Sequence, residues 1–183
     1  MLIYGGSAYS YANDPDFMGV STSQKFWQEV IDRYYQKYSG LAQWHKKIVH
    51  DVQKTGMLEI PSGRHYNFYP TKNNWGQLKW PITTIKNYPV QGYGADLVML
   101  ARLEFVKKLR ESGLEGKFIA TVHDSLVVDT PEENVYNIGV LLKESIEAVP
   151  ELCKKVWDYD FFLPLTCEVS VGKNLASLEE IKL

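Results

Sequence analysis

The chain has 183 residues, 45% of them hydrophobic and 23% charged, ordinary globular usage in a length suited to one domain or two small lobes, and this excludes wholesale disorder. Twenty basic residues against 22 acidic ones leave a net charge of −2, which excludes a strongly basic nucleic-acid arm but not an enzyme with a local basic groove. Aromatic residues, at 13%, serve cores and base-stacking surfaces alike.

Residues 1–20 are rich in Gly, Ser, Tyr and Asn around Asp14-Pro15-Asp16 and read as a helical turn followed by a loop. Ser21 and Gln24 fit a capping box, and Phe26, Trp27, Val30, Ile31, Tyr34 and Tyr38 follow at helical spacing. Ser39-Gly40 breaks that helix. Leu41, Trp44, Ile48 and Val52 predict a second one to about Thr55, with Gly56 as its C-cap, giving an αα-hairpin. Leu58, Ile60, Tyr66 and Phe68 flank the turn-like Pro61-Ser62-Gly63-Arg64 and predict a short β-hairpin. Residues 70–80, with Lys72, Asn73, Asn74, Trp75, Lys79 and Trp80, have no clear period and read as a polar loop. A third helix is expected from Asn87 or Pro89 to Ser112, stopped by Gly113; Leu97 to Ala101 is apolar on several faces, as in a buried central helix. Strands are expected over 117–122 and 126–129, with His123-Asp124-Ser125 between them. Thr130, Pro131 and Glu133 then start a helix with a capping box, and Val135, Ile138, Leu142 and Ile146 give its buried stripe. The alternation of Leu163, Leu165, Cys167, Val169 and Val171 predicts a last strand.

Three places could carry chemistry. A carboxylate at a tight turn, as in His123-Asp124-Ser125, is held rigidly and can dock a magnesium ion that carries a triphosphate; Asp is also an ordinary turn residue. Asn87 and Gln91, four apart at the start of the central helix, share a face and can meet phosphates, sugars or minor-groove base edges. Gly92 and Gly94 allow close approach. The plainer reading is an N-cap Asn and a solvated Gln. Arg64 in the hairpin turn could hold a phosphate or simply be solvated. Tyr4, Tyr9 and Tyr11 offer stacking faces or core. His45, His50, Cys153 and Cys167 lack metal-ligand spacing. The cysteine pair suits a reducing cytoplasmic compartment. No run reaches the ~18 apolar residues of a membrane helix, and the N-terminus lacks the regions of a signal peptide.

Taken in order, these segments resemble the C-terminal part of family A DNA polymerases, the class of bacterial DNA polymerase I and its phage relatives. Leu2-Ile3-Tyr4-Gly5 looks like the end of the family's motif B, in the fingers helix. The helices at 21–55 and Ser62-Gly63-Arg64 resemble the fingers helices and a DGRR-type turn. Asn87-Tyr88-Pro89-Val90-Gln91-Gly92 with Ala95-Asp96 resembles the NxPxQGxxAD segment facing the primer–template minor groove. Val122-His123-Asp124-Ser125 resembles motif C of the palm, and Glu168 lies in what looks like the closing palm strand. The resemblance implies an α+β fold, a partial right hand with fingers helices and an antiparallel palm sheet with packed helices. Residues 1–80 would be a partial fingers subdomain and hairpin, and 81–183 a partial palm including motif C. It implies nucleotidyl transfer to a primer 3′ end at a two-metal Mg²⁺ site. Asp124 would be the catalytic metal ligand, and catalytic His123 would place the primer terminus. Tyr4 and Gly5 would lie at the nucleotide and template-base site, and Arg64, Asn87 and Gln91 would bind DNA. The implied partners are primer–template DNA and deoxynucleoside triphosphates, with no membrane, in the cytoplasm of a bacterium or phage-infected cell.

Three departures qualify the resemblance. The sequence opens inside motif B, motif A with its second metal-binding Asp is missing, and Ser125 stands where most DNA polymerases of this family have Glu. One aspartate cannot hold two divalent ions. The expectation is a chain inactive in isolation: the C-terminal subunit of a split polymerase, encoded by a gene interrupted at Met1, with a separate N-terminal chain supplying motif A. The alternatives are a gene fragment, a non-catalytic primer–template binding remnant, and a fragment of a single-subunit RNA polymerase, for which Ser125 speaks.

Overall fold

The computed structural model describes residues 2–183; Met1, where the expected gene interruption falls, lies outside the described residues. The chain forms two compact units, Met1–Ile60 with Arg64–Gln91, and Pro61–Gly63 with Gly92–Leu183. This division follows packing, and the fingers–palm boundary at residue 80 stays an assignment by resemblance.

The first unit opens with a 3₁₀ turn at Leu2–Tyr4, the short helix α1 (Ala8–Ala12) and a second 3₁₀ turn at Pro15–Phe17. Aromatic packing holds this segment in place of the expected loop. Tyr11 stacks on Trp27 with ring centroids 5.2 Å apart, and Phe17 meets both rings edge-on. Helix α2 (Gln24–Lys37) buries Trp27 and Ile31 in this cluster. Its cap is Ser23 and not Ser21: the Phe26 N–H donates to Ser23 Oγ at 3.3 Å, while Ser21 Oγ accepts the Ser23 N–H. Ser21 sits too early to flank the first turn, and its carbonyl takes the Trp27 indole N–H at 2.8 Å. Ser23→Ala therefore costs about 1 kcal/mol of stability. Ser21→Ala costs less, measured as a difference in urea midpoints; the reverse order would return the cap to Ser21.

Helix α3 (Ser39–Thr55) ends at Gly56, whose N–H donates to the Val52 carbonyl and whose left-handed φ of 73° turns the chain out of the helix. Strands β1 (Met57–Glu59) and β2 (His65–Asn67) form the expected antiparallel hairpin, with Leu58 opposite Tyr66. Residues 70–80 form a second hairpin where a loop was expected, β3 (Thr71–Lys72) against β4 (Leu78–Lys79). Two residue pairs are too few to leave a period in the sequence. Ile48, Val52, Phe68 and Ile85 are the core here, with Trp80 packed against it.

Helix α4 (Ile82–Ser112) begins earlier than expected and runs through Pro89. Pro89 has no N–H, so the Ile85 carbonyl loses its helical partner. Local preference favours a proline in the first turn, but full burial of Ile85 carries the helix across it. Gly113 stops α4 with a φ of 69°.

In the second unit α4 buries Phe105 and Leu109 with Ile138, and Leu100 and Ala101 with Val149 and Cys153. Strands β5 (Lys117–Val122) and β6 (Ser125–Asp129) pair antiparallel, with a bulge between Phe118 and Ala120. A 3₁₀ turn at Glu132–Asn134 leads into α5 (Val135–Glu147), then α6 (Val149–Trp157). The expected capping box does not form. Thr130 Oγ1 donates to the Glu115 carbonyl at 2.8 Å, and no side chain caps α5. The expected last strand is shorter, β7 (Val169–Val171), paired with β8 (Glu179–Ile181). Residues 163–168 alternate in sequence but have no strand beside them among the described residues. The α+β class is as the sequence implied. Among the described residues, no helix is long and apolar enough to cross a membrane.

Candidate functional site

In the second unit, the register of β5 and β6 closes at Val122 opposite Ser125, so His123 and Asp124 form a two-residue turn. His123 has a φ of 53°, the left-handed region, which disfavours an L-residue by roughly 1–2 kcal/mol. Backbone strain of this kind collects at functional sites. The Ser125 hydroxyl donates to the Val122 carbonyl at 2.8 Å, so it is spent on closing the turn. Asp124 and His123 are exposed. Among the described residues their side chains make no hydrogen bond or ion pair. A carboxylate held forward on a hairpin tip, with no internal partner, is free to take a ligand from outside. The bulge at Ile119 lies in the strand leading to this tip, and bulges re-aim side chains at such places.

In the first unit, the Gln91 amide donates to the Tyr4 hydroxyl at 2.7 Å. This joins two residues that the sequence put forward separately. Asn87 lies one turn before Gln91 on α4. Its Oδ1 is buried and accepts no hydrogen bond among the described residues. A buried amide oxygen without a donor is costly. Gly5 has a φ of +77°, and a Cβ there would lie 2.7 Å from Lys86 Cδ and 2.8 Å from its Nζ. The backbone beside Tyr4 thus favours a glycine, while the Lys86 side chain that lies over it could shift aside. Arg64 is exposed and follows the first hairpin turn.

Two groups here escaped sequence reasoning. His45 is 3% exposed, with Nδ1 3.2 Å from the Tyr35 hydroxyl. Burial, aided by the Lys86 charge, lowers its pKa, and a backbone hydrogen bond with Ile3 partly opposes this. Burial also lowers the pKa of Lys86. Both line a cavity of about 410 Å³ with Tyr35, Ala42, Lys46, Val49 and Ile82. Nothing in spacing marks them, because the cavity is closed by α3 and α4 from distant parts of the sequence. In the second unit, Ser62 donates to buried Asp96, the last residue of the segment that begins at Asn87.

Asp124 can offer one carboxylate to a cation. Among the described residues there is no group of three or more His, Cys, Asp or Glu that could hold a metal ion. These residues alone do not fit a pair of magnesium ions.

The family model for DNA polymerase family A matches residues 1–177. DNA polymerase I of Pseudomonas aeruginosa is 30% identical over 175 residues, 94% of this chain and 18% of that protein. The thermostable DNA polymerase I of Thermus aquaticus is 27% identical over 187 residues, 98% of this chain and 20% of that protein. The DNA polymerase of Bacillus phage SP01 is 24% identical over 188 residues, 99% of this chain and 20% of that protein. The chain thus spans at most about a fifth of the length of these relatives. Among solved structures, it is similar to the POL domain of Pol1 from M. smegmatis in complex with DNA primer-template and dNTP. The TM-score is 0.72 at 21% identity, covering 90% of this chain and 27% of that one. That likeness is one of fold.

Proposed function

Because the chain belongs to DNA polymerase family A, we propose that it forms the part of a template-directed DNA polymerase that holds the primer terminus and presents one metal-binding carboxylate. The observation that carries this reading is the strained, exposed His123-Asp124 turn, whose carboxylate has no partner among the described residues. Asp124 is assigned to magnesium and His123 to the primer terminus. Tyr4 and Gly5 are assigned to the incoming nucleotide and template base, and Arg64, Asn87 and Gln91 to primer–template DNA. Deoxynucleoside triphosphates are the substrates, and the intracellular compartment follows from them. The remaining metal ligands come from polypeptide outside these 183 residues, in the same protein or in a partner chain carrying motif A. The isolated chain is then inactive.

A second reading is a non-catalytic primer–template binder, in which the lone Asp124 carboxylate holds no metal. The two part on whether added polypeptide bearing motif A restores extension that depends on Asp124.

DNA binding is tested by anisotropy with a labelled primer–template. Gln91→Ala weakens binding about fivefold, the value of one hydrogen bond. Tyr4→Phe breaks the internal Tyr4–Gln91 bond but leaves the Gln91 amide able to reach DNA, so it costs less. Equal losses in the two variants would mean that Gln91 acts by holding Tyr4 and not by touching DNA.

A further inference from the structure

The β3–β4 hairpin lies outside every role assigned so far. Hydrogen bonds fix its tip at several points. Asn73 Oδ1 accepts the Trp75 and Gln77 backbone N–H groups at 3.0 and 2.9 Å, and Asn73 Nδ2 donates to Gln77 Oε1 at 3.0 Å. The Gly76 N–H returns to the Asn73 carbonyl at 2.9 Å, with Gly76 at a φ of 75° that suits glycine. All of this fixes the backbone and leaves the Trp75 ring 83% exposed. The base is anchored, since Trp80 packs on the Ile48, Val52, Phe68 and Ile85 core. With Tyr69 and Leu78 also exposed, the hairpin presents a cluster of large apolar side chains to solvent on a fixed backbone, the kind of surface that takes a ligand.

Charge identifies the partner. Between Glu59 and Asp96 the sequence has no acidic residue, while it carries Arg64, Lys72, Lys79 and Lys86. Lys79 pairs with Thr71 and Lys72 with Leu78, so the two exposed lysines lie on opposite faces of the hairpin and flank the tip on both sides. Exposed Tyr69 precedes β3. An exposed aromatic on a segment that carries lysines and no carboxylate of its own is the combination that takes single strands, because every base offers a π-face and every linkage a charge.

We propose that the β3–β4 hairpin binds single-stranded nucleic acid, with Trp75 stacking on an unpaired base and Lys72 and Lys79 meeting its phosphates. The proposal rests on the reading of this chain as a primer–template binder and adds to it a hold on the unpaired template strand.

The test compares affinities of the 183-residue chain for a labelled blunt duplex and for the same duplex with an overhang of about ten thymidines, within the usual site size. The wild-type chain binds the overhang DNA about tenfold tighter than the blunt duplex, the scale of one stacked base. Trp75→Ala removes that increment and leaves blunt-duplex affinity as it was. Trp75→Phe keeps most of it but loses the tryptophan quenching on binding. Lys72→Gln with Lys79→Gln lowers the salt slope by about 0.7 for each phosphate no longer neutralised. An overhang preference that is absent, or that survives Trp75→Ala, overturns the proposal and leaves duplex binding intact; the hairpin's partner would then be a protein. Failure of the wild-type chain to bind either DNA overturns the primer–template reading and this proposal together.

Discussion

Asp124→Ala lowers primer extension by the assembled polymerase by about 10³-fold, the scale for losing one preorganised group that faces developing charge, while primer–template affinity stays within about twofold of wild type, the scatter of a surface change. Asp124 holds nothing inside the chain. Its carboxylate is exposed and makes no hydrogen bond or ion pair among the described residues, so removing it deprives no internal partner. The β5–β6 pairing and the Ser125–Val122 bond that shape the turn remain. Stability should then be unchanged, and any loss of activity belongs to chemistry. Asp124→Asn is the sharper variant, because it keeps the shape and removes the charge a divalent cation requires. The measurement is single-turnover extension with motif A polypeptide present, beside a urea titration of each variant. Extension that survives both substitutions would remove Asp124 from the metal site and leave the non-catalytic reading.

Phe105→Ala destabilises the second unit by about 3–5 kcal/mol, the usual cost of truncating a buried phenylalanine. Phe105 is fully buried on α4. It belongs to a cluster with Leu109 and Ile138, bordered by Phe118 and Val128 of the hairpin and by Leu141 and Leu142 of α5. The cluster built around this ring joins the central helix, the hairpin that carries Asp124 and the helix that follows. Domains of this size are stable by only about 5–15 kcal/mol, so the loss takes much of the reserve. The check is a lower midpoint in urea with an unchanged slope, together with weaker protection of β5 amides from hydrogen exchange. A cost under about 1 kcal/mol, the size of an ordinary surface change, would mean that the hairpin is held to α4 by something else.

Asp124 stands out in the sequence by its type and its place at a turn, whereas nothing local marks Phe105 as a member of the cluster that ties three elements together. The α2–α3 pair, the 57–67 hairpin and the β5–β6 hairpin were legible because their periods and turn residues are local. The start of α4 was not: Pro89 states a local preference that the burial of Ile85 overrides, and burial is a tertiary fact. Helix α6 follows α5 directly and has Pro150 in its first turn, where the missing N–H costs no helical bond. The last strand was overdrawn because alternation says that a segment is extended, not that a neighbour exists to pair with it. At the site, Tyr4 and Gln91 could each be singled out by type. Their hydrogen bond, across 87 residues of sequence, could not. The same holds for Lys86 over Gly5 and for His45, which become visible only once α3 and α4 stand together.

The bulge at Ile119 carries a consequence for how this segment can evolve. Phe118 pairs with Val128 and Ala120 with Val127. Neighbours on a strand face opposite sides, so the two halves of β5 are out of phase by one residue, and Ile119 is the spacer that makes them so. Phe118 and Val128 face the core, and Ile119 itself is 57% exposed. Its side chain is free to drift, whereas its presence is not. Deleting the codon would invert the parity of everything from Ala120 to the tip. The lineage should therefore record many residues at this position and no gaps, with the length of the strand, more than its composition, keeping the Asp124 carboxylate on its side of the sheet.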